Sequence, residues 1–384
     1  MRLTFSLFKG DVGSKGGHTL PAPEMLAHAR ERAQGRMNDG MFIDAYVGHV
    51  GDDIHLHLTH PQGQDSRAVH DFVFQVFQEM TEIAKRLGLY GAGQDILVDA
   101  SSGNIRGTGL ASAEIEWEHD FSQKNRPAET IIVFFADKSA PGGVFNMPLW
   151  NIFFNSSMNT SLILKSELNA GFSLDIIDMD YKGGDRIVRL NAPEDIWNAH
   201  ALLLEHDRYA VKSVWSRFDP SMKLGAGTAE RLHNIAGKYT GKDDPAFVGR
   251  TQGIFPAPEF WVIPFQIAHF LEGNGMGSHV LSLMPMPLNS SVSGMMCQPI
   301  VQCYVASVDA QGRFVHTVTD YFGGLEWDSV RQKALLKSQL LREQGSFGIA
   351  MTSQAELAYT GRDKVLSQLK ERFQVFPAAP TAKD

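Results

Sequence analysis

The chain has 384 residues, of which 43% are hydrophobic and 20% are charged, so its composition is that of a globular protein with a large core and excludes a disordered chain. Its formal net charge of −8 offers no basic surface to a polyanion, and we expect no nucleic-acid partner. Two cysteines are too few for a disulfide framework, so we expect a cytoplasmic protein. No apolar run approaches the roughly 18 residues of a membrane span, so we expect that it does not enter a membrane.

Alternating and helical patterns in the first part of the chain predict a β-α-β-β-α order. The predicted elements are a strand that runs into a glycine-rich loop over residues 3–14, a helix over 22–35 that stops at Gly35, a hairpin over 41–60 that turns at Gly51-Asp52-Asp53, and an amphipathic helix over 66–88 that ends on Gly88. Glycines follow both predicted helices, as is typical of helix ends.

The rest of the chain continues to mix strands and helices. The predicted elements are an apolar strand over 131–136, a hairpin over 172–193 that turns at Gly183-Gly184, a helix over 192–206, a strand over 209–218, a helix over 228–239, two strands over 299–316, and helices near 328–343 and 361–373. No internal repeat and no long linker divides the chain, so we expect one catalytic domain over residues 1–376 and a short tail over 377–384.

Aspartates recur where predicted apolar segments end. They are Asp11, Asp52, Asp53, Asp95, Asp99, Asp137, Asp243 and Asp244. Any one of them is readily explained as a turn residue, because the aspartate side chain bonds to nearby backbone in turns. As a set, mostly beside glycines, they would supply the oxygen ligands that Mg²⁺ requires, and a cluster of such ions would serve phosphoryl transfer.

Histidines and glycine-rich segments add weaker signals. His55 and His57 share one strand face, where polar alternation on an exposed strand explains them as well as a metal pair does; we favour the exposed strand. His18 lies in a loop seven residues after Asp11 and is a better ligand candidate. The stretches GAGQ and SSGNIRGTG would cradle a phosphate through backbone N–H groups, with Arg106 and Lys138 as nearby positive charges.

The stretch KYTGKDDP, residues 238–245, has the composition of a turn. Lys242 within it is open to three interpretations: a surface lysine, a phosphate contact, or a Schiff-base nucleophile whose pKa is lowered by burial or by nearby cations. Tyr239 would be a proton donor or acceptor beside it, or simply a packing residue.

Taken together, these segments resemble the bifunctional fructose-1,6-bisphosphate aldolase/phosphatase family. The matching stretches are KGDVGSKGGH, HVGDD, GLYGAGQDILVDASSGNIRGTG, FFADKSAPGGVFNMPL, IAGKYTGKDDP, GSH with LMP, and AYT, in order from position 9 to about 360. An ordered set of this length is far more specific than any single motif. The resemblance implies an α/β (α+β) fold arranged as a four-layer α-β-β-α sandwich in a single fused domain, several Mg²⁺ ions, and a homo-oligomer that is often an octamer.

The resemblance also implies roles for particular residues. The metal ligands would be Asp11, His18, Asp52, Asp53, Gln94, Asp137, Asp243 and Asp244. The catalytic residues would be Lys242 as the Schiff-base lysine, Tyr239 as its acid/base partner, and Tyr359, which enters during the aldol step. The substrate contacts would be Tyr90, Gly103, Asn104, Lys138 and Gln252, and the substrates would be dihydroxyacetone phosphate, glyceraldehyde 3-phosphate and fructose 1,6-bisphosphate.

Departures from the family pattern concentrate on the substrate side. Gly253 stands where the family has His, Met276 stands where it has an Arg, and the segment from Gly294 through Met296 to Pro299 replaces an Arg-Phe-Asp-Gly-Pro-Pro stretch. No arginine lies between Arg250 and Arg313, and a lost charge-assisted phosphate contact costs roughly 1.5–3 kcal/mol. A divergent family member that acts on a different sugar phosphate or keto substrate is therefore the alternative, with a non-catalytic Mg²⁺ or sugar-phosphate binding protein as a second one.

Overall fold

A computed structural model describes residues 1–96, 110–120, 129–181, 184–206, 208–228, 245–251, 257–275, 279–294, 297–343 and 362–376. The strands in these ranges are β1 (Arg2–Gly10), β2 (Asp44–Val50), β3 (Asp53–His60), β4 (Ala111–Glu118), β5 (Glu129–Asp137), β6 (Phe172–Asp178), β7 (Asp185–Ala192), β8 (Tyr209–Ser216), β9 (Lys223–Gly227), β10 (Ala246–Thr251), β11 (Glu272–Gly275), β12 (His279–Ser282), β13 (Met284–Pro285), β14 (Ile300–Val308), β15 (Thr319–Asp320) and β16 (Gln374–Phe376). The α-helices are α1 (Pro23–Asn38), α2 (Arg67–Arg86), α3 (Pro141–Phe154), α4 (Ser161–Leu164), α5 (Ile196–Leu203), α6 (Glu259–Val262), α7 (Asp328–Glu343) and α8 (Arg362–Leu369). Short 3₁₀ helices cover Ser166–Ala170, Ile263–Phe270, Val315–Thr317, Leu325–Trp327 and Lys370–Arg372.

The strands form two main sheets. The smaller sheet is antiparallel, in the order β2-β3-β1-β4. The larger sheet has ten strands in the order β13-β14-β5-β10-β9-β8-β6-β7-β16, with β15 beside β14; its pairs are antiparallel except for the parallel pair β13–β14. A separate hairpin joins β11 to β12.

Hydrophobic clusters lie on both faces of the two sheets. Strand β5 shows the reason, because its apolar run has no polar face and is buried on both sides. Ile131, Val133 and Phe135 pack in a cluster with Phe5 and Leu7 of the smaller sheet. Their neighbours along the strand, Ile132, Phe134 and Ala136, belong to the cluster that includes residues of α3 and α5.

Helices α1 and α2 cover the other face of the smaller sheet. Met25 of α1 and Phe77 of α2 are fully buried against Ile54 and Leu56 of β3. The mixture of helices with largely antiparallel sheets confirms the α+β class. The four-layer order of sheets and helices stays a prediction. None of the helices in the described ranges is long and apolar enough to cross a membrane.

Several predicted element ends differ from the observed ones. Helix α1 does not stop at Gly35 but continues to Asn38, and Gly40, with a φ of +79°, provides the left-handed residue after the helix. The predicted helix over 192–206 is shorter, because residues 193–195 form a turn before α5. The second strand expected within 299–316 is wrong: the chain there forms a turn and the 3₁₀ helix Val315–Thr317. The helix predicted over 228–239 lies almost entirely outside the described residues.

The interpretation of His55 and His57 as residues of an exposed strand is wrong. Both side chains are fully buried, because the larger sheet covers that face of β3. Their rings stack with centroids 4.5 Å apart, and His57 Nδ1 shares a 2.6 Å hydrogen bond with the Tyr304 hydroxyl of β14.

Candidate active site

Three chain segments end at one edge of the two sheets and bring acidic side chains together. In the antiparallel pairing of β1 with β3, Gly10 lies opposite Ile54, so the end of β1 meets the β2–β3 turn. Strand β5 of the larger sheet ends at this edge in Asp137. Two groups of candidate ligands result, Asp11 with His18 and Asp52, and Asp52 with Asp53 and Asp137; within each group the ligand atoms lie within 4.8 Å of one another.

His18 joins the two carboxylates of the first group. Its Nδ1 donates to Asp52 Oδ2 at 3.0 Å and lies 3.8 Å from Asp11 Oδ2. Hydrogen bonds to Asp11 and Asp52 raise the pKa of His18 to about 9. Burial and the nearby Asp52 charge raise the pKa of Asp11 to about 6, so this carboxyl is the one in the group that most readily holds a proton.

Lys138 joins the carboxylates of the second group. Its Nζ donates to Asp52 Oδ1 at 2.6 Å and lies 3.0 Å from Asp137 Oδ1. Burial alone would lower the pKa of Lys138, but Asp137 and Asp52 outweigh it and hold that pKa well above its usual range. Burial, followed by the charge of Asp53, raises the pKa of Asp137 well above its usual range. Burial opposes the charged form of Asp52 as well, yet Lys138 and His18 hold its pKa below the usual range.

Two residues at this edge, Lys138 and Gly51, have a left-handed backbone conformation. Lys138 has a φ of +62°, a left-handed conformation that costs a non-glycine residue about 1–2 kcal/mol and that is typical of functional sites. Gly51 of the β2–β3 turn has a φ of +56°, and a Cβ added there would lie 1.9 Å from Asp137 Oδ2. Glycine is therefore required both by the turn and by the approach of the Asp137 carboxylate.

A turn over residues 91–96 closes the site beside Asp11. Asp95 Oδ2 accepts a 2.6 Å hydrogen bond from the Asp11 backbone N–H, and the Asp95 N–H donates to the Asp11 carbonyl at 3.0 Å. Gln94 is thereby carried to the same region and is buried. Tyr90 is paired with Ser14 through two backbone hydrogen bonds, and its exposed ring packs edge-on against His18 at 4.8 Å.

The side chains of this edge fit a hard divalent cation. Four aspartates, one imidazole and one amide supply oxygen and nitrogen donors, and carboxylate oxygens are the ligands that such ions prefer. Two buried acceptors, Asp137 Oδ2 and Gln94 Oε1, have no hydrogen-bond partner within the part of the chain that the structure describes. Because a buried acceptor without a partner is costly, both atoms are suited to accept a cation.

The structure brings together most of the predicted ligands it describes. Asp11, His18, Asp52, Asp53 and Asp137 cluster as expected from the sequence, with Lys138 among them and Gln94 and Tyr90 beside Asp11 and His18. The remaining predicted residues, Gly103, Asn104, Tyr239, Lys242, Asp243, Asp244, Gln252 and Tyr359, lie outside the described residues, as do Gly253, Met276 and Met296.

One residue of this edge, Lys9, was not predicted as a site residue, and Asp95, which belongs to the predicted set of aspartates, has a different contact from the one expected of a ligand. Lys9 is fully buried and donates to Asp53 Oδ2, and Asp95 holds the backbone of Asp11. A lysine on the apolar face of strand β1, directly before Gly10-Asp11, was the signal for Lys9. Asp95 was a candidate ligand from its sequence, but its contact with the Asp11 backbone joins distant segments and has no local signal.

Comparison with known proteins gives consistent matches along the chain. The family model for fructose-1,6-bisphosphatase matches residues 2–374. A protein from Thermus thermophilus named fructose-1,6-bisphosphate aldolase/phosphatase is 41% identical over 373 residues, which cover 97% of this chain and 100% of that protein. Proteins with the same name from Cenarchaeum symbiosum and Methanocaldococcus jannaschii are 40% and 35% identical, over 94% and 97% of this chain and 91% and 92% of their own lengths.

Proposed function

The chain belongs to the fructose-1,6-bisphosphate aldolase/phosphatase family, and from that premise we propose that it is a Mg²⁺-dependent fructose-1,6-bisphosphatase that also has Schiff-base aldolase activity, working in the gluconeogenic direction. One observation supports the proposed phosphatase activity. Carboxylates from three separate chain segments form two groups that share Asp52, and the ligand atoms within each group lie within 4.8 Å of one another. Among the described residues, the buried acceptor Asp137 Oδ2 has no hydrogen-bond partner. Clustered carboxylates are costly to fold without positive charge beside them, and a bound cation would add to the charge that Lys138 and Lys9 already supply.

The residues proposed to hold the Mg²⁺ ions are Asp11, His18, Asp52, Asp53, Gln94 and Asp137, with Asp243 and Asp244 completing the set by resemblance. When bound, these ions polarise phosphoryl oxygens and lower the pKa of water, which is the chemistry that phosphate-ester hydrolysis needs. The identity of the ion as Mg²⁺ rests on the predominance of carboxylate oxygens.

Among the described residues, Lys138 is placed to contact the phosphoryl group that is released. Its ammonium is anchored by Asp52 and Asp137, yet its side chain keeps 14% of its exposure, so one side remains open to a substrate. We propose that it stabilises the negative charge of the transferring group. Tyr90, Gly103, Asn104 and Gln252 are proposed as the other substrate contacts, as the family resemblance implies.

The aldolase half rests on residues outside the described ranges. The Lys242 amine would form a Schiff base with dihydroxyacetone phosphate, Tyr239 would move the proton at that carbon centre, and Tyr359 would assist the condensation with glyceraldehyde 3-phosphate. Borohydride trapping with dihydroxyacetone phosphate tests this assignment. A covalent adduct on Lys242 supports it and excludes a purely structural binding protein, whereas no adduct on metal-loaded protein would remove the aldolase activity from the proposal.

A different substrate is the second candidate, and one contact favours it. Gly294 begins the segment that departs from the family pattern, and a Cβ added there would lie 3.5 Å from Thr19 Cγ2, next to His18. The Val292 N–H also donates to the Thr19 carbonyl at 3.1 Å. The altered segment therefore starts beside the cluster of ligands, where a change of residues would alter substrate recognition.

The remaining expectations are also proposals. We propose that residues 1–376 form one catalytic domain followed by the tail 377–384, that the four-layer α-β-β-α order holds, and that the enzyme is a cytoplasmic homo-oligomer, with the octamer as the state implied by the family.

Inorganic phosphate released from fructose 1,6-bisphosphate, measured with Mg²⁺ and with a chelator, tests the proposed function. Mg²⁺-dependent release that is lost in Asp53→Ala and retained in Asp309→Ala, a carboxylate of a remote loop, would support it. Undiminished release from Asp53→Ala would remove the metal assignment. No release from folded, metal-loaded wild type would favour the second candidate, and a panel of ketose phosphates that lack the second phosphate would then follow.

A further inference from the structure

Lys9 occupies a buried position, where an ammonium group is costly in free energy. Strand β1 directs Leu3, Phe5 and Leu7 into the cluster between the two sheets, and Lys9 continues that alternation on the same face. Its side chain is fully buried. A buried ammonium is tolerated only where a carboxylate compensates for its lost hydration, so the contact that Lys9 makes has to account for its presence.

That contact is with a carboxylate of the candidate site. The Lys9 ammonium donates to Asp53 Oδ2, and Asp53 belongs to the group of Asp52, Asp53 and Asp137 whose ligand atoms lie within 4.8 Å. The backbone pairing places Lys9 opposite His55, two residues along β3 from Asp53. The lysine therefore reaches the site from inside the space between the sheets.

Lys9 and Lys138 contact different carboxylates of the same group. Lys138 contacts Asp52 and Asp137 and is partly open to solvent, whereas Lys9 contacts Asp53 and has no exposure. A group with no exposure cannot contact the substrate, so a role for Lys9 has to act through Asp53. By donating to Oδ2, it restrains the rotation of the Asp53 carboxylate.

We propose that Lys9 is a positioning residue that holds Asp53 in the orientation needed to bind a divalent cation, and so sets the cation affinity of this site. The inference rests on the proposed function, because it takes Asp53 as a metal ligand. Partners of this kind, one step removed from the ion, change metal affinity or activity by about 10–100-fold when they are lost.

Calorimetric titration of the substrate-free full-length protein with Mn²⁺ tests the proposal, with thermal unfolding of each variant in parallel. Lys9→Met keeps the length and the apolar stem but loses the donor, and we expect its Mn²⁺ dissociation constant to rise about 10–100-fold. Lys9→Gln retains an N–H donor, and we expect it to recover part of that loss.

Arg250→Met is the matched control. Arg250 pairs with Glu129 through two hydrogen bonds of 2.9 and 3.1 Å, and both residues are buried. Glu129 is at the opposite end of β5 from Asp137, so this variant breaks a buried ion pair far from the site. We expect it to lower the unfolding temperature without changing Mn²⁺ affinity.

The outcomes separate the two proposals. A Lys9→Met protein that is less stable but binds Mn²⁺ as tightly as wild type would assign Lys9 to folding alone and overturn the inference, while leaving the proposed function standing. If Lys9→Met does not fold, Lys9→Gln decides by the same comparison. Failure of wild type to cleave fructose 1,6-bisphosphate, with Mn²⁺ binding still weakened in the Lys9 variants, would overturn the proposed substrate and keep the inference. Failure of wild type to bind Mn²⁺ would overturn both.

Discussion

Replacement of Gly51 by alanine should impair the candidate site far more than it impairs the fold. The added Cβ would lie 1.9 Å from Asp137 Oδ2 and 2.7 Å from Val292 Cγ2, whereas real Cβ contacts are essentially never closer than 3.0 Å. The Asp137 carboxylate would therefore have to retreat by about 1 Å or rotate away, and a displacement of that size at a catalytic group costs about 100-fold in rate.

Backbone strain adds a separate and smaller cost. The φ of +56° at Gly51 makes alanine less favourable by about 1–2 kcal/mol. Gly40→Ala isolates this contribution, because Gly40 has a φ of +79° and a Cβ there would meet no atom of the described residues within 4 Å. We expect both variants to lose similar stability and only Gly51→Ala to lose activity.

Phosphate release in saturating Mg²⁺ and Mn²⁺ affinity by calorimetry are the assays, and circular dichroism melting reports stability. We expect Gly51→Ala to lose about 100-fold in phosphate release and to bind Mn²⁺ more weakly, with Gly40→Ala close to wild type in both. If the two variants had equal activity and equal Mn²⁺ affinity, the packing of Gly51 against Asp137 would have no functional consequence and the reasoning would be refuted.

Burial lowers the pKa of His57 to about 3 and that of His60 to about 4, below the 6.5 of an exposed imidazole. Below about pH 6.5 the unfolded chain therefore binds more protons than the folded one. The free energy of unfolding should be full above that pH and fall by about 1.4 kcal/mol per pH unit per histidine as the pH drops towards those values. Urea unfolding at about pH 7 and pH 5 measures this slope, which His60→Gln should reduce and which would be absent if the imidazoles were already charged in the fold. Burial raises the pKa of Asp11 to about 6, so Mn²⁺ must displace a proton from this carboxyl below that pH. The affinity for Mn²⁺ should then fall by up to about tenfold per pH unit. An affinity that does not change between about pH 5 and pH 7 would contradict this. Arg372 donates hydrogen bonds of 2.7 and 2.8 Å to Asp195. Arg372→Ala should therefore speed amide hydrogen exchange in α8 and β16 while β5 stays protected. Unchanged exchange in α8 would show that its other contacts are enough to keep it in place.

Local patterns were enough to predict much of the fold and part of the site. Period-two alternation and the glycine at position 51 predicted the β2–β3 hairpin, and Gly88, with a φ of +65°, ended α2 as expected. Aspartates at strand ends predicted the cluster of Asp11, Asp52 and Asp137, because residues at the ends of neighbouring strands meet at one edge. These features depend on short-range geometry, which a sequence carries directly.

Other features depended on what packs against each element. The alternation in β3 identified the face that carries His55 and His57, but alternation alone does not reveal whether a polar face meets water or a second sheet. The same limit applies to Lys9, whose partner Asp53 comes from another strand, and to Asp95, which holds a backbone group 84 residues away. Only the tertiary structure decided these contacts, because burial and pairing between distant segments arise when the two sheets stack, and no local pattern encodes which surfaces will meet.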